Sequence, residues 1–295
     1  MSDWPRITDL IGTEEIAEVA LIGVPMEAGS VTPGRCDLAP ATIRQALRRF
    51  STYDLLSGEE LHRRVADCGD LPVTGLMPAD GFATIRNAVA AATSAHRLTI
   101  LLGGNNAVTR PAAHGLGVPL SEVGLITLDA HFDMRTTEDG PRNGNPVRCL
   151  LEDGLPGRNI CQIGLAPFAN TAKMHDDAVA AGIDVIDIDM VHRDDIANVI
   201  DDALAHLDHV ERIIVDFDID VIDRSQCPGA PGARPGGMSV NDFFLAARIL
   251  AAHPKVALVD LTEFDPSLDV GEITALTAAR WVCEILVGYE MRFEA

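Results

Sequence analysis

The chain has 295 residues and a formal net charge of −21, which argues against nucleic acid or an anionic membrane as a partner, because their phosphates would be repelled across the whole surface. A hydrophobic fraction of 47% excludes a disordered chain, and this length is enough to bury a large core. The six scattered cysteines form no C-x-x-C pair, no apolar run reaches transmembrane length and no signal-peptide pattern opens the chain, so we expect reduced thiols and a cytoplasmic protein.

Apolar, β-branched runs alternate with helical patterns from one end of the chain to the other. Eight strands are predicted, at 19–24, 65–68, 98–102, 123–128, 160–163, 184–188, 212–217 and 256–262. Six helices are predicted, at 40–50, 79–95, 171–181, 196–207, 240–252 and 273–286. Strands that are apolar on both faces are typical of a parallel sheet covered by helices on each side. We therefore predict a single α/β domain over residues 1–295, with its ligands beyond the carboxyl ends of the strands.

Three long loops rich in glycine and proline leave this same predicted edge of the sheet. They are MEAGSVTPGRCDLAP (26–40), TTEDGPRNGNPVRC (136–149) and IDRSQCPGAPGARPGG (222–237). Long loops of this kind in a compact domain are more often functional than idle. We predict that they form the walls of one pocket.

Acidic residues follow three of the predicted strands, in LDAHFDMR (128–135), VDFDIDVID (215–223) and LTEFDPSLD (261–269). These segments bring together five carboxylates and one imidazole, from Asp129, His131, Asp133, Asp218, Asp220 and Glu263. Several carboxylates at adjacent strand ends would repel one another strongly, and divalent cations relieve that repulsion. A helix cap or a solvated turn would explain an isolated D-x-D pair, but three such segments predict a hard-cation site, most plausibly for paired Mn²⁺.

These motifs resemble those of the ureohydrolases, the family of arginase, agmatinase and formimidoylglutamase, and the likeness covers nearly the whole chain. It extends over GVPMEAGSVTPGRCDLAPATIR, VADCGDLPV, LLGGNNAVTRP, LDAHFDMR, NGNPV, DFDIDVIDRSQCPG, PGGMS and EFDPSLD. The resemblance implies a three-layer α/β/α domain with a central, mostly parallel eight-stranded sheet. It also implies two Mn²⁺ ions whose bridging hydroxide attacks an amidine or guanidinium carbon, and a homo-oligomer, a trimer or a hexamer.

The resemblance also implies roles for individual residues. The metal positions are Asn106, Asp129, His131, Asp133, Asp218 and Asp220, with Asp129 and Asp218 bridging both ions. Glu263 matches the acid that holds the cationic nitrogen of the substrate, and Asp133 is expected to pass a proton to the leaving nitrogen. The identity of the metal, Mn²⁺ rather than Ni²⁺ or Co²⁺, stays open.

Two positions depart from the family pattern. The glycine loop usually reads G-G-D-H, with the histidine as a metal ligand, whereas here it ends in Asn105-Asn106. A neutral amide oxygen is a weaker ligand than imidazole, so we expect the adjoining metal site to bind loosely or to stay empty. Asn143 replaces the histidine that arginase uses in catalysis. Two interpretations remain, a working variant of the formimidoylglutamase type and a non-catalytic pseudoenzyme subunit, and the five other ligands favour the first.

The expected substrate is N-formimidoyl-L-glutamate, which is hydrolysed to L-glutamate and formamide during histidine degradation. Its cationic end suits Glu263, and its two carboxylates require basic or polar partners from the pocket loops. The predicted substrate-binding residues are Asn143, Asn145, Arg142, Arg148 and Arg35, and Arg234 is a further loop arginine. The alternative is a guanidino hydrolase that acts on agmatine, guanidinobutyrate, arginine or hydroxyarginine. A zinc deacetylase on a related fold fits less well, because such sites use one metal and fewer carboxylates.

Overall fold

A computed structural model describes residues 4–13 and 17–293, so the two ends of the predicted domain 1–295 lie outside the described residues. The strands, in chain order, are β1 (Ile11–Gly12), β2 (Val19–Val24), β3 (Tyr53–Asp54), β4 (Glu59–Glu60), β5 (Val65–Asp70), β6 (Leu98–Gly103), β7 (Val123–Leu128), β8 (Ile160–Leu165), β9 (Asp184–Asp187), β10 (Arg212–Asp218) and β11 (Val256–Thr262). Nine of them form one sheet in the order β1-β5-β2-β6-β11-β10-β7-β8-β9, and β3 and β4 form a separate antiparallel hairpin. Every described pairing in the large sheet is parallel.

The helices lie in two layers against this sheet. They are α1 (Ala39–Leu47), α2 (Pro78–Ala95), α3 (Thr109–His114), α4 (Pro146–Asp153), α5 (Ala172–Ala181), α6 (Ile188–Arg193), α7 (Ile196–His206), α8 (Val240–Ala252) and α9 (Ile273–Met291). Apolar residues of α1 and α6–α9 pack in one core on one face of the sheet, and those of α2–α5 pack in a second core on the other face. Because both faces are covered, every residue of β2, β6, β7 and β8 is buried.

The three-layer α/β architecture with a parallel sheet is thus confirmed, and all eight predicted strands are present. The sheet has a ninth strand, β1, which was not predicted because two residues at a sheet edge leave no periodic signal in the sequence. Three short helices, α3, α4 and α6, were also not predicted. They span six to eight residues, which is too short to show a helical repeat. Across residues 4–13 and 17–293, no helix is long and apolar enough to cross a membrane.

The sheet order determines where the functional side chains meet. Four neighbouring strands, β6, β11, β10 and β7, occupy the centre of the sheet, and all of them run in the same direction. Their carboxyl ends therefore lie side by side. The acidic segments predicted from the sequence follow directly on three of these strands, and the glycine loop follows on the fourth.

Candidate metal centre and active site

Three of the predicted metal ligands, Asp129, His131 and Asp220, lie together at the carboxyl ends of β7 and β10. One ligand atom from each of them lies within 4.8 Å of the other two. Nδ1 of His131 is 3.2 Å from Oδ2 of Asp220 and 3.4 Å from Oδ1 of Asp129. The charge of Asp220 raises the pKa of the imidazole to about 12, so without metal His131 is a cation among carboxylates. The cluster is therefore built to surround positive charge.

Asp133 and Asp218 add two more carboxylates from the same strand ends. Both side chains are buried. Burial raises the pKa of each well above its usual range, and the negative charges of Asp129 and Asp220 raise it further. Burial also raises the pKa of Asp129, to about 6. These buried carboxylates, together with one histidine, form a donor set that suits hard divalent cations, which bind oxygen ligands and supply positive charge.

Asn106 lies between these carboxylates, at the position where the family pattern has a histidine. Its Nδ2 atom donates hydrogen bonds to Oδ2 of Asp133 at 2.7 Å and to Oδ2 of Asp218 at 3.4 Å. Its Oδ1 atom accepts a hydrogen bond from the hydroxyl of Thr109 at 2.8 Å. The amide thus presents its N–H groups, not its oxygen, to the cluster in this arrangement.

The backbone is strained at two residues of the site. Asp133 has φ 52° and Glu263 has φ 60°, which is the left-handed region that residues other than glycine rarely adopt. In Glu263, which follows β11 directly, this conformation is held by a hydrogen bond from its N–H to the carbonyl of Gly104, 3.0 Å away. A strained backbone conformation persists only where the surrounding structure stabilises it, and such conformations are concentrated at functional sites.

Glu263 forms one wall of the site, beside the carboxylate cluster. Its Oε1 accepts hydrogen bonds from the N–H of Asn106 at 2.7 Å and from Nδ2 of Asn143 at 3.0 Å. Burial raises its pKa to about 7, although these two hydrogen bonds act in the opposite direction. Asn143 is held in turn by Val31, whose N–H donates to its Oδ1 at 2.8 Å. The loop that follows β2 thereby orients the side chain that contacts Glu263.

A cavity of about 140 Å³ opens above the cluster. The side chains that line it come from all three predicted pocket loops and include His131, Asp133, Asn143, Asp218, Asp220, Glu263, Arg135 and Arg234. Gly232 passes so close to the cluster that a Cβ atom there would lie 1.9 Å from Oδ2 of Asp220. The glycine-rich loop at 222–237 is therefore a wall of the pocket that tolerates no side chain at this point.

The cavity lining includes two residues that sequence reasoning missed as site residues, Arg135 and Asn170. Asn170 fixes the loop around His131, a predicted metal ligand, because its Nδ2 donates to the carbonyl of Ala130 at 2.9 Å and its Oδ1 accepts from the N–H of Phe132 at 2.9 Å. Arg135 stands two residues after Asp133 in the LDAHFDMR motif. This proximity to a predicted metal ligand could have identified Arg135 as a site residue. No sequence signal distinguishes Asn170 from the other polar residues of its loop.

Four of the five predicted substrate-binding residues do not line this cavity. Arg35 forms a bidentate ion pair with Asp37 at 2.9 and 3.1 Å, and Arg148 of α4 forms an ion pair with Asp177 of α5. The other two, Arg142 and Asn145, are joined by a hydrogen bond within the loop. Asn145 is buried, and its side chain joins Thr136, Gly140 and the N–H of Arg142 within the loop. Of the five predicted substrate-binding residues, Asn143 alone lines the cavity.

The sequence profile of the arginase family matches residues 17–288. The chain belongs to the arginase family. The formimidoylglutamase of Bacillus subtilis (strain 168) is 31% identical over 298 residues, which cover 98% of this chain and 93% of that protein. The formimidoylglutamase of Halalkalibacterium halodurans is 32% identical over 274 residues, which cover 91% of this chain and 86% of that protein. The ureohydrolase resemblance is thus confirmed.

Solved structures of the arginase family agree with this fold. The crystal structure of the Bacillus subtilis formimidoylglutamase superposes with a TM-score of 0.91 at 30% identity, covering 98% of this chain and 93% of that one. A structure of Trypanosoma cruzi formiminoglutamase with Mn²⁺ has the same TM-score at 22% identity, covering 98% of this chain and all of that one. At this identity the second likeness supports the fold alone.

Proposed function

We propose that this member of the arginase family hydrolyses N-formimidoyl-L-glutamate to L-glutamate and formamide with two bound Mn²⁺ ions. The observation that carries the proposal is the composition of one cavity. It combines a buried carboxylate cluster, a separate acid at Glu263 and two arginines that no described carboxylate pairs with, Arg135 and Arg234. A substrate with a cationic formimidoyl group and two carboxylates complements this set of charges.

The residues divide the work of the reaction between them. We assign the metal ions to Asp129, His131, Asp133, Asp218 and Asp220, with Asn106 as a further, weaker ligand. When bound, two Mn²⁺ ions supply a nucleophile at neutral pH by lowering the pKa of water. Water adds to the formimidoyl carbon, the bond from this carbon to the glutamate nitrogen breaks, and the nitrogen leaves with a proton.

Glu263 and Asp133 are the proposed catalytic residues. Glu263 binds the formimidoyl nitrogen, and its negative charge stabilises the positive charge as the carbon becomes tetrahedral. Asn143 donates to Glu263 and so holds this carboxylate in position before the substrate arrives. Asp133 also lines the cavity, where it can accept the proton of the attacking water and return it to the leaving nitrogen.

We assign the two substrate carboxylates to Arg135 and Arg234, in place of the arginines expected from the sequence. Arg135 packs along the backbone of Gly144, where an added Cβ would lie 2.7 Å from its Cδ. Arg234 is held by carbonyl groups of its own loop, including that of Ala233 at 3.3 Å. Both guanidinium groups therefore keep donors available for a carboxylate.

Arg135→Gln should raise the KM for formimidoylglutamate about tenfold or more and change kcat much less, because the lost contact binds the substrate away from the reacting carbon. Arg148→Gln is the matched control, since this arginine pairs with Asp177 outside the cavity. Steady-state kinetics of both variants provide the measurement. Equal effects of the two substitutions on KM would show that Arg135 does not bind the substrate.

The activity itself is tested with Mn²⁺-loaded protein and a panel of formimidoylglutamate, agmatine, guanidinobutyrate, arginine and hydroxyarginine. We expect formamide from the first compound and no urea or hydroxyurea from the others. Release of urea or hydroxyurea would move the chain to the guanidino hydrolases. A folded, metal-loaded protein with no turnover on any compound would support the pseudoenzyme interpretation instead.

We further propose that the chain forms one catalytic domain and acts in the cytoplasm, as a trimer or hexamer, in histidine degradation. All six cysteines are free thiols, which supports a reducing compartment. Measuring the mass of the protein in solution by light scattering tests the oligomeric state, and a monomer would contradict it.

A further inference from the structure

The amide of Asn106 has an orientation that two different neighbours impose. On the side of the cavity, its Nδ2 atom faces the carboxylates of Asp133 and Asp218. On the opposite side, its Oδ1 atom accepts the hydroxyl proton of Thr109, the first residue of α3. An amide oxygen in the place of Nδ2 would face the oxygen atoms of two carboxylates, so without a cation the present orientation is the one in which the amide stabilises these groups when they are ionised.

Thr109 has a second neighbour that its hydroxyl could serve. Asp260 lies in β11 on the face of the sheet that α3 covers, and it is fully buried. Burial raises the pKa of Asp260 to about 7, and the neighbouring Asp216 side chain and Thr109 hydroxyl oppose that effect. Among the described residues, neither carboxyl oxygen of Asp260 has a hydrogen-bond partner with good geometry. A fully buried carboxyl without a partner requires a physical explanation.

The Thr109 hydroxyl is, with Asp216, one of two side chains placed to serve this carboxyl, and it has a single proton to donate. A hydroxyl donates one hydrogen bond and accepts up to two, so Thr109 can donate either to Asn106 or to Asp260, but not to both. In the present arrangement the proton goes to Asn106 and not to Asp260. If the amide of Asn106 turns over, its N–H can donate to the Thr109 oxygen, and the hydroxyl is then free to donate to Asp260.

We propose that Thr109 is a positioning residue that lets the Asn106 amide turn its oxygen towards the cavity when a metal ion binds, with Asp260 accepting the released hydroxyl proton in a hydrogen bond. The inference rests on the proposed dimanganese function. In the first arrangement the amide donates to Asp133 and Asp218 and accepts from Thr109, and in the second its oxygen faces the metal ion and one N–H donates to the Thr109 oxygen. The first suits the protein without metal, in which amide N–H groups stabilise the carboxylates, and the second supplies an oxygen ligand and a donor for Asp260.

The test compares Thr109→Val, which keeps the shape and removes the hydroxyl, with Thr109→Ser, which keeps the hydroxyl. Thr99→Val is the matched control, because Thr99 is a buried threonine of β6 whose hydroxyl has no described partner. Each protein is freed of metal with a chelator and titrated with MnCl₂ by calorimetry. Metal content is measured by mass spectrometry, and thermal unfolding of the metal-free proteins shows whether each variant is folded.

We expect Thr109→Val to weaken the looser Mn²⁺ site about tenfold or more, as is usual when a partner of a metal ligand is removed. The valine variant loses two hydrogen bonds in the arrangement with metal and only one without it. Thr109→Ser and Thr99→Val should keep the affinity of the parent protein. Unchanged or tighter Mn²⁺ binding by folded Thr109→Val would overturn the proposal.

A second background separates positioning from general support of the fold. In Asn106→His the ligand is an imidazole, which cannot exchange an oxygen for an N–H at the same place, and we expect a tighter Mn²⁺ site. Adding Thr109→Val to this variant should then change the affinity little. A loss as large as in the parent background would mean that Thr109 acts on the loop as a whole. These titrations use no substrate, so they remain decisive even if the substrate proposed above is wrong.

Discussion

At the scale of single residues, the site combines buried negative charge with backbone strain. Asp133 and Glu263 both adopt left-handed backbone conformations, and both face the same cavity. Their carboxyl groups are buried, and burial raises the pKa of each. These costs have no benefit for a folded chain without ligand. The proposed metal ions and cationic substrate would offset these costs by neutralising the carboxylates.

Asp129→Ala should lower the activity by at least about 10²-fold, because it removes a carboxylate on which the proposed metal site depends. The same substitution should not lower the thermal stability of the metal-free protein, since it removes one of several mutually repelling charges. Bound Mn²⁺ and formamide release are measured together. Asp176→Ala is the control, because this side chain is 81% exposed on α5. Full turnover by Asp129→Ala would rule out the dinuclear site.

At the scale of secondary-structure elements, an ion-pair network joins helices α8 and α9 to the hairpin formed by β3 and β4. Arg248 of α8 donates to Glu284 of α9 at 2.7 Å and to Asp54 of β3 at 3.1 Å. Glu284 also accepts from Arg280, one turn earlier on α9, at 2.6 Å. Glu284 is almost fully buried, so its charge depends on these two arginines.

Arg248→Met should lower the free energy of unfolding by about 3 kcal/mol, because it leaves Asp54 unpaired and Glu284 with one partner in a buried position. The matched control is Arg193→Met on α6, which removes an exposed pair with Asp189 at 2.9 Å and should cost less than about 0.5 kcal/mol. Urea unfolding of both Mn²⁺-loaded proteins measures the difference. Similar costs for the two variants would contradict a stabilising role for the network.

At the scale of the whole molecule, the parallel sheet concentrates negative charge at one edge of a protein whose net charge is already −21. The central strands all end at this edge, so the carboxylates that follow them are forced together. Without metal, protons have to compensate part of this charge. The stability of the metal-free protein is consequently linked to pH.

A carboxyl whose pKa is higher in the folded state contributes stability below its unfolded pKa, and this contribution is lost as the pH rises through the folded value. For Asp129 these values are 3.8 and about 6, and for Glu263 they are 4.5 and about 7. The raised pKa of His131 acts in the same direction above pH 6.5. The metal-free protein should therefore lose stability between about pH 4 and pH 7, by an amount on the order of a few kcal/mol.

Mn²⁺ should suppress this loss, because the ions stabilise the ionised carboxylates. We expect the difference in Tm between the Mn²⁺-loaded and the chelator-treated protein to grow as the pH is raised from 5 to 7.5. Thermal unfolding at a series of pH values measures it. A difference that stays constant or shrinks over this range would show that these carboxylates do not bind the metal.

The sequence by itself determined eight of the strands, their parallel arrangement and the acidic segments of the proposed metal site, because these depend on local patterns. An apolar run predicts a buried strand, and the acidic residues that follow it must lie at its carboxyl end, as they do for Asp129 and Asp218. The sequence did not determine which arginines line the cavity. Whether an arginine faces a cavity depends on which acid lies near it in space, and Arg148 pairs with an aspartate 29 residues away. Only the tertiary structure shows which acidic side chain each arginine pairs with. For the same reason, only the tertiary structure shows that Thr109 contacts the Asn106 amide and that Asp260 lies beside Thr109.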